Sequence, residues 1–188
     1  MTAPSLLKFR CTGCGNCCRD PLLPLTNADL ARIVTHVAVD PAELVKWVSG
    51  REIALPAKDE NFVSLRQGPR VMVLRHTRGH CRFLGTDNRC TIYSFRPLGC
   101  RIFPFDPDFS RNGKLLHLRM IDATDCPHEL DGSNSVRSLL RLNQDTAREL
   151  AAYHGIVADW NREQKQRQRR GQAPATAAAF LEHLDHCG

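Results

Sequence analysis

The stretch Cys11-Thr12-Gly13-Cys14-Gly15-Asn16-Cys17-Cys18-Arg19 decides the character of this chain, because it places four cysteines close together near the start. Two-residue gaps between its first three cysteines let successive thiolates converge on one point, since the chain can wrap around a metal with its amide groups pointing inward. Gly13 and Gly15 fit this interpretation, because a tight loop often needs a positive φ that only glycine adopts at little cost. The stretch therefore predicts a loop that binds metal through thiolates.

More cysteines lie downstream of this loop. They are Cys81, Cys90, Cys100, Cys126 and Cys187. A disulfide-stapled secreted domain is one explanation, but the total of nine cysteines is odd. Residues 1–10 also lack the charged start, long apolar stretch and cleavage site of a signal peptide, and a chain of 188 residues can bury a core without staples. We therefore favour metal ligation over disulfides, and expect a cytoplasmic protein.

Composition and charge limit the partners that we expect. No apolar run approaches the length needed to cross a bilayer, so no membrane partner is expected. The formal net charge is +6, but much of the excess lies in residues 162–170. A local basic run of this kind is more often a solvated helix end than a binding site, so we expect no nucleic-acid partner. The expected partner is an unidentified protein or redox partner.

Two short helices are predicted after the cysteine loop. Thr26 with Asp29 three positions later resembles a capping box, followed by apolar residues at helical spacing. Residues 40–43 give a second start signal, with an aspartate cap and a proline at the first helical position. Residues 44–48 would form the buried side of this second helix, which would end at Gly50.

Residues 51–126 predict strands and loops. The strand-like segments are residues 62–65, 71–74 and 115–121, together with a hairpin of 81–84 and 90–93 around a polar turn. This hairpin would bring Cys81 and Cys90 close together. A short helical turn is expected within residues 94–100.

The C-terminal part predicts a long helix from about residue 135, which Gly155 would interrupt. Residues 173–179 predict a linker or weak helix. We therefore expect an α+β fold, a small mixed domain of short strands and helices around a cysteine-rich metal core with a C-terminal helix. The expected organisation is a metal-binding domain at residues 1–130, a helical extension of the same domain at 131–170 and a flexible tail at 171–188.

Eight cysteines form the candidate ligand set. They are Cys11, Cys14, Cys17, Cys18, Cys81, Cys90, Cys100 and Cys126. Thiolates are soft ligands, and both zinc and a [4Fe–4S] cluster take four of them, so eight can make two sites or one site plus a reactive thiol set. The downstream thiols should pack against the first loop, because adjacent Cys17 and Cys18 normally point apart and can hardly serve one ion.

We therefore expect Cys11, Cys14 and one member of the adjacent pair Cys17 and Cys18 to serve one centre. The other member would join some of the four downstream cysteines, and the sequence leaves open which ones. His80 and His128 are weaker candidates, named only because each lies next to a cysteine in the sequence. Cys187 is not expected to be a ligand, because a chain end is usually mobile.

The motifs in residues 9–126 resemble the CxxCxxCC family, also called YkgJ-like cysteine-cluster proteins. The opening stretch is similar to the motif that names the family, and residues 81–84, 90–93 and 96–104 are similar to its C-x-F-L, C-x-I-Y and R-P-x-x-C-R-x-F-P segments. The resemblance implies a zinc- or iron-chelating domain, often labelled an Fe–S oxidoreductase of unknown reaction. The flagellin lysine-N-methylases resemble the same domain, but this sequence has no recognisable methyl-donor motif.

Three functions remain open at this point. The favoured one is a protein with a [4Fe–4S] cluster, acting as a redox carrier or an enzyme, in which Arg19, Arg96 and Arg101 offset the cluster's charge. The second is a structural or interaction module that binds zinc. The third is a metal-delivery or sensing protein. No catalytic residue can be named, because no Ser-His-Asp set, paired carboxylates or P-loop is visible.

Overall fold

The computed structural model describes residues 5–19, 22–53, 55–56, 59–121 and 125–186. Its helices are α1 (Asn27–Val34), α2 (Pro41–Leu44), α3 (Gly50–Ile53), α4 (Leu98–Ile102), α5 (Val136–Arg169) and α6 (Ala177–Asp185). Its strands are β1 (Arg10–Cys11), β2 (Val45–Val48), β3 (Val63–Leu65), β4 (Gly68–Leu74), β5 (His76–Thr77), β6 (His80–Cys81), β7 (Phe105–Phe109), β8 (Leu115–Met120) and β9 (His128–Glu129). The mixture of helices and short antiparallel strands, ending in a helix, confirms the α+β fold class.

The chain divides into two compact units that alternate along the sequence. Unit 1 consists of Met1–Pro21 and Thr77–Ala147, and unit 2 of Leu22–His76 and Arg148–Gly188. Each unit therefore combines two separate parts of the chain. All eight candidate cysteine ligands belong to unit 1.

Unit 2 contains a three-stranded antiparallel sheet in the order β2-β4-β3. In it, Val45 pairs with Leu74 and Val48 pairs with Val71. Residues 45–48 are therefore a strand, and the prediction that they continue the second helix was wrong. Valine is a β-branched residue that suits a pleated surface, and pairing with the central strand outweighs the weak helical pattern. The apolar cluster on this sheet consists of Val48, Val71 and Val73 with Leu22, Ile53, Leu55 and Phe62 around it.

Both predicted helix starts in unit 2 are confirmed. The Thr26 hydroxyl accepts a hydrogen bond from the Asp29 backbone N–H at 3.1 Å, and the Asp29 carboxylate accepts one from the Thr26 N–H at 3.2 Å. Asp40 caps α2 by accepting a hydrogen bond from the Ala42 N–H at 2.8 Å. These local signals were predictable because a cap satisfies donors within the same few residues.

Helix α5 runs without interruption through Gly155, contrary to the prediction. Its buried Tyr153 and Trp160 lie on either side of the glycine. The Trp160 indole N–H donates a hydrogen bond to the Ser64 carbonyl at 3.0 Å, and the Asn161 side-chain oxygen accepts one from the Ser64 N–H at 2.7 Å. A glycine inside a helix costs about 1 kcal/mol, which these tertiary contacts outweigh.

Helix α6 packs its apolar side chains into unit 2. Its Phe180 is 0% exposed and makes edge-to-face contacts with Trp47 and Trp160, at ring-centroid distances of 5.8 and 5.0 Å. The expectation of a flexible tail therefore does not describe residues 177–185.

Cys187 lies outside the described residues. Among the described residues, no helix is both long enough and apolar enough to cross a bilayer.

Unit 1 contains two two-stranded pairs, β1 with β9 and β7 with β8, among its elements. The predicted strand near residues 115–121 is confirmed as β8, whereas its partner β7 was not predicted. The buried cluster of this unit consists of Leu7, Phe9, Phe105 and Leu139.

The predicted hairpin between Cys81 and Cys90 is present only as a turn. The turn closes through a hydrogen bond from the Gly85 N–H to the Arg89 carbonyl at 2.8 Å, and a single bridge joins Leu84 to Cys90. The expected extended strands of residues 81–84 and 90–93 do not form. The expected helical turn within residues 94–100 is observed as a 3-10 helix at Tyr93–Phe95 followed by α4.

Candidate metal centre

The first cysteine loop leaves β1 and closes through two glycines. Gly13 and Gly15 have φ angles of 74° and 75°, which confirms the prediction of positive φ at both positions. A 3-10 helix, Asn16–Cys18, follows directly, and the Cys18 N–H donates to the Gly15 carbonyl at 3.0 Å. The adjacent cysteines therefore sit at the end of a tight turn.

One side of this loop is joined to the segment that carries Cys126. In the β1–β9 pair, Cys11 lies opposite His128. The Thr12 hydroxyl donates to the Pro127 carbonyl at 2.9 Å, and the Asn16 side-chain amide donates to the Asp125 carbonyl at 2.9 Å. These hydrogen bonds hold the two backbone segments side by side.

The other side of the loop is joined to the turn between Cys81 and Cys90. The Arg19 guanidinium donates to the Cys14 carbonyl at 3.1 Å and to the Asn88 side-chain oxygen at 2.6 Å. Gly15 lies so close to this turn that a Cβ there would stand 3.2 Å from both the Asn88 carbonyl oxygen and a Leu84 methyl carbon. Both downstream segments thus pack against the first loop, as the sequence predicted.

The close approach at Gly15 leads to a first prediction. Gly15→Ala and Gly13→Ala both place a side chain at positive φ, which costs about 1–2 kcal/mol. Only the Gly15 variant also crowds its neighbours, since the nearest atom to a Cβ at Gly13 is 4.0 Å away. We expect Gly15→Ala to lower the free energy of unfolding by about 1–3 kcal/mol more than Gly13→Ala. Chemical denaturation measures both variants, and equal losses would contradict the close packing.

The segment around Cys100 holds an arginine that faces the thiols. The Arg96 Nε–H donates to the Cys100 carbonyl at 3.3 Å, and the Arg96 guanidinium lies 3.7 Å from the centre of the Tyr93 ring. The Cys18 thiol is the main cause that lowers the pKa of Cys17, and the positive charge of Arg96 acts in the same direction. Burial raises the pKa of Cys90 and of Cys100, and the Arg96 charge opposes that rise. Arg96 is therefore one of the cations beside the cysteine cluster.

Backbone amides point at several of the sulfurs in a repeated pattern. The Gly13 N–H donates to the Cys11 sulfur at 3.4 Å. Burial raises the pKa of Cys81 and of Cys90, and the backbone N–H two residues after each, at Phe83 and Ile92, opposes that rise by hydrogen bonding to the sulfur. Amide groups turned towards sulfur favour thiolates, so the chemistry of these donors suits a bound metal.

The adjacent Cys17 and Cys18 share a hydrogen bond. Donation from the Cys18 thiol lowers the pKa of Cys17 to about 6, and the same bond raises the pKa of Cys18. Burial raises the pKa of Cys126 to about 11, with the neighbouring Cys14 and Cys11 acting in the same direction. These mutual effects show that the thiols lie within electrostatic range of one another.

The eight cysteines lie in one region of unit 1, but their side chains do not stand in the geometry of a metal site. None of these eight, which include every cysteine in the described residues, forms a disulfide. In the same part of the chain, no group of three or more His, Cys, Asp or Glu side chains stands in the geometry of a metal site. The structure thus supplies the donors in one region of unit 1, and their role as ligands stays a prediction.

The other predicted site residues take different positions. Arg19 contacts the first loop and Arg96 faces the thiols, whereas the Arg101 side chain is exposed. His80 and His128 each contact a cysteine backbone carbonyl through Nδ1, at 3.0 and 2.8 Å. Both therefore lie beside the cluster, as their sequence positions suggested.

The residues that hold the loop were missed by the sequence analysis. They are Thr12, Asn16 and Asn88, whose side chains join the first loop to the downstream segments. Their polar side chains in glycine-rich loops resemble ordinary turn residues, so no sequence signal distinguished them.

Comparison with known proteins agrees with this geometry. The description "Putative zinc- or iron-chelating domain" belongs to the CxxCxxCC family, which matches residues 10–125. The chain belongs to the CxxCxxCC family. Membership identifies it as a metal-binding protein with a cysteine cluster.

One curated relative is the uncharacterized protein MJ0661 of Methanocaldococcus jannaschii. It is 31% identical over 110 residues, which cover 58% of this chain and 50% of the relative. The chain thus matches about half the length of that relative. No solved structure matches the chain.

Proposed function

We propose that this member of the CxxCxxCC family binds an iron–sulfur cluster of the [4Fe–4S] type and serves a redox or cluster-dependent role. The observation that carries the proposal is the clustering of eight unbridged cysteines in unit 1, with backbone N–H groups directed at several sulfurs. Four thiolates are the usual ligands of such a cluster. When bound, the cluster supplies the ability to accept and release an electron.

The arginines of the site support a charged cofactor. A thiolate-ligated cluster is anionic, and nearby cations offset its charge and raise its reduction potential. Arg96 stands next to Cys100 and acts electrostatically on Cys17 and Cys90, and Arg19 binds the Cys14 carbonyl. We expect Arg96 to affect the potential most and the exposed Arg101 least.

Zinc is the second candidate, and the composition of unit 1 favours it. Most buried apolar side chains of the described residues lie in unit 2, whereas the buried cluster of unit 1 is small. A structural zinc ion contributes folding free energy directly and can replace part of a core. A zinc-binding structural or interaction module would therefore also explain why the thiols concentrate in this unit.

Metal analysis of the protein purified without oxygen separates the two candidates. The cluster proposal predicts a brown protein with iron and acid-labile sulfide in equal amounts and a visible absorbance that bleaches on reduction. Arg96→Gln should lower the midpoint potential of that absorbance change, while Arg101→Gln, the matched control, should leave it unchanged. A colourless protein with stoichiometric zinc would overturn the proposal and establish the zinc alternative.

A further inference from the structure

Two exposed arginines border the first cysteine loop. The Arg19 guanidinium donates to the Cys14 carbonyl at 3.1 Å. The Arg89 side chain lies against the same loop, because its Cγ is 4.0 Å from the position that a Cβ at Gly13 would take. Residues far apart in the sequence thus bring two positive charges to one surface.

The segments that carry these arginines are poor in acidic residues. Residues 11–19 and 77–101 together contain six arginines but only one acidic residue, Asp87. The Asp87 carboxylate accepts a hydrogen bond from the Arg89 backbone N–H at 3.0 Å. The surroundings of the loop therefore carry a clear excess of positive charge.

The positive charge at the loop is not neutralised by carboxylates of the described residues. Elsewhere in unit 1, Arg10 forms an ion pair with Asp131 at 2.6 Å. Of the ion pairs between described residues, none involves Arg19 or Arg89. Both guanidinium groups can therefore pair with carboxylates of another molecule.

Thiols and an aromatic ring are exposed in the same region. Cys11 and Cys17 are exposed, so a metal centre that they held would lie near the surface. Arg96, which binds the Cys100 carbonyl, stacks on the ring of Tyr93 at 3.7 Å, and that ring is 59% exposed. Arginine and tyrosine are enriched in protein–protein interfaces.

An acidic protein fits this surface better than a nucleic acid does. A DNA strand carries a negative charge about every 3.4 Å, so its backbone would lie against thiols that are anionic when they bind a metal. A folded protein can place its carboxylates opposite the arginines and neutral groups opposite the thiols. Redox complexes bury little surface and form transiently, so they depend on charge steering of this kind.

We propose that the exposed first cysteine loop, bordered by Arg19 and Arg89, docks an acidic electron-transfer protein of the ferredoxin type. We call this surface the arginine rim. The choice of a redox protein rests on the proposed function, whereas the docking of an acidic surface rests on the charges and exposure of the rim. Carboxylates of the partner pair with the two guanidinium groups.

Biolayer interferometry tests the proposal with the full chain, purified with its metal and immobilised, and an oxidised acidic [2Fe–2S] ferredoxin as the probe. We expect binding at low ionic strength that is lost at high salt, because salt screens exposed charges. This salt dependence is measured on the unmodified protein, so it does not depend on how variants fold. Arg89→Glu should weaken binding about tenfold or more, because it places a like charge opposite the partner's carboxylates. Arg89→Lys keeps the charge and should bind within about twofold of the unmodified protein.

Arg169→Glu is the matched control, because it makes the same change of charge at an exposed position of α5 in unit 2 and should not weaken binding. Absence of binding at low salt, or equal weakening by Arg89→Glu and Arg169→Glu, would overturn the proposal. An oligothymidylate that bound more tightly than ferredoxin at the same salt, and lost more affinity in Arg89→Glu, would assign the rim to nucleic acid instead. Zinc in the metal analysis would contradict the redox role alone, because this experiment measures docking without electron transfer.

Discussion

Removing the metal from this protein is expected to unfold unit 1 while unit 2 stays folded. The reason is the unequal distribution of apolar burial. Unit 2 has its own sheet, the buried valines of β2 and β4, and aromatic packing around Phe180. Fewer buried apolar side chains of the described residues lie in unit 1 than in unit 2, although all eight thiols lie in unit 1. Structural zinc supplies about 10–16 kcal/mol to small domains, as much as the net stability of about 5–15 kcal/mol of a typical domain.

Hydrogen–deuterium exchange of the full chain, with and without anaerobic chelation, measures this effect segment by segment. After chelation, β1, β7, β8 and β9 should exchange rapidly, whereas β2 to β4 and α6 should keep their protection. Cys14→Ser should reproduce the change in part, and Cys187→Ser, outside the family match, is the matched control that should not. Unchanged protection in unit 1 would show that the metal does not stabilise this unit, and equal loss in both units would show that its effect is not confined to unit 1.

Phe180→Ala is expected to lower the free energy of unfolding by about 3–5 kcal/mol, the usual cost of truncating a fully buried phenylalanine. Phe180 is 0% exposed and packs edge-to-face against Trp160 at 5.0 Å, so the substitution leaves a cavity and removes an aromatic contact. Helix α6 has only nine residues, and such a short helix depends on tertiary packing for its stability. Urea denaturation followed by tryptophan fluorescence measures the loss.

The matched control is Glu182→Ala, which removes an exposed side chain from the same helix and should change stability by no more than about 0.5 kcal/mol. Metal content should remain unchanged in both variants, because every candidate ligand lies in unit 1. If Phe180→Ala cost less than about 1 kcal/mol, the packing of α6 would not contribute to the stability of unit 2.

Local features of this protein were determined by the sequence alone. The cysteine spacing and neighbouring motifs of residues 9–126 indicated the family, whose model matches residues 10–125. The positive φ angles of Gly13 and Gly15 and the cap at Thr26 were predictable in the same way. Each of these features depends on interactions within a few neighbouring residues. Local hydrogen bonding and backbone sterics are therefore enough to determine it, and contacts with distant parts of the chain are not needed.

Only the tertiary structure decided the features that depend on distant contacts. Residues 45–48 form a strand because they pair with β4. Helix α5 continues through Gly155 because the tertiary packing of its neighbours outweighs the free-energy cost of a glycine inside a helix. The position of Cys126 beside the first loop depends on contacts such as the hydrogen bond from the Asn16 side chain to the Asp125 carbonyl, two residues that are 109 positions apart. The sequence shows which side chains have the chemistry to bind a metal. Which of these side chains lie close together depends on the free energy of the whole fold, because that closeness comes from contacts between distant residues.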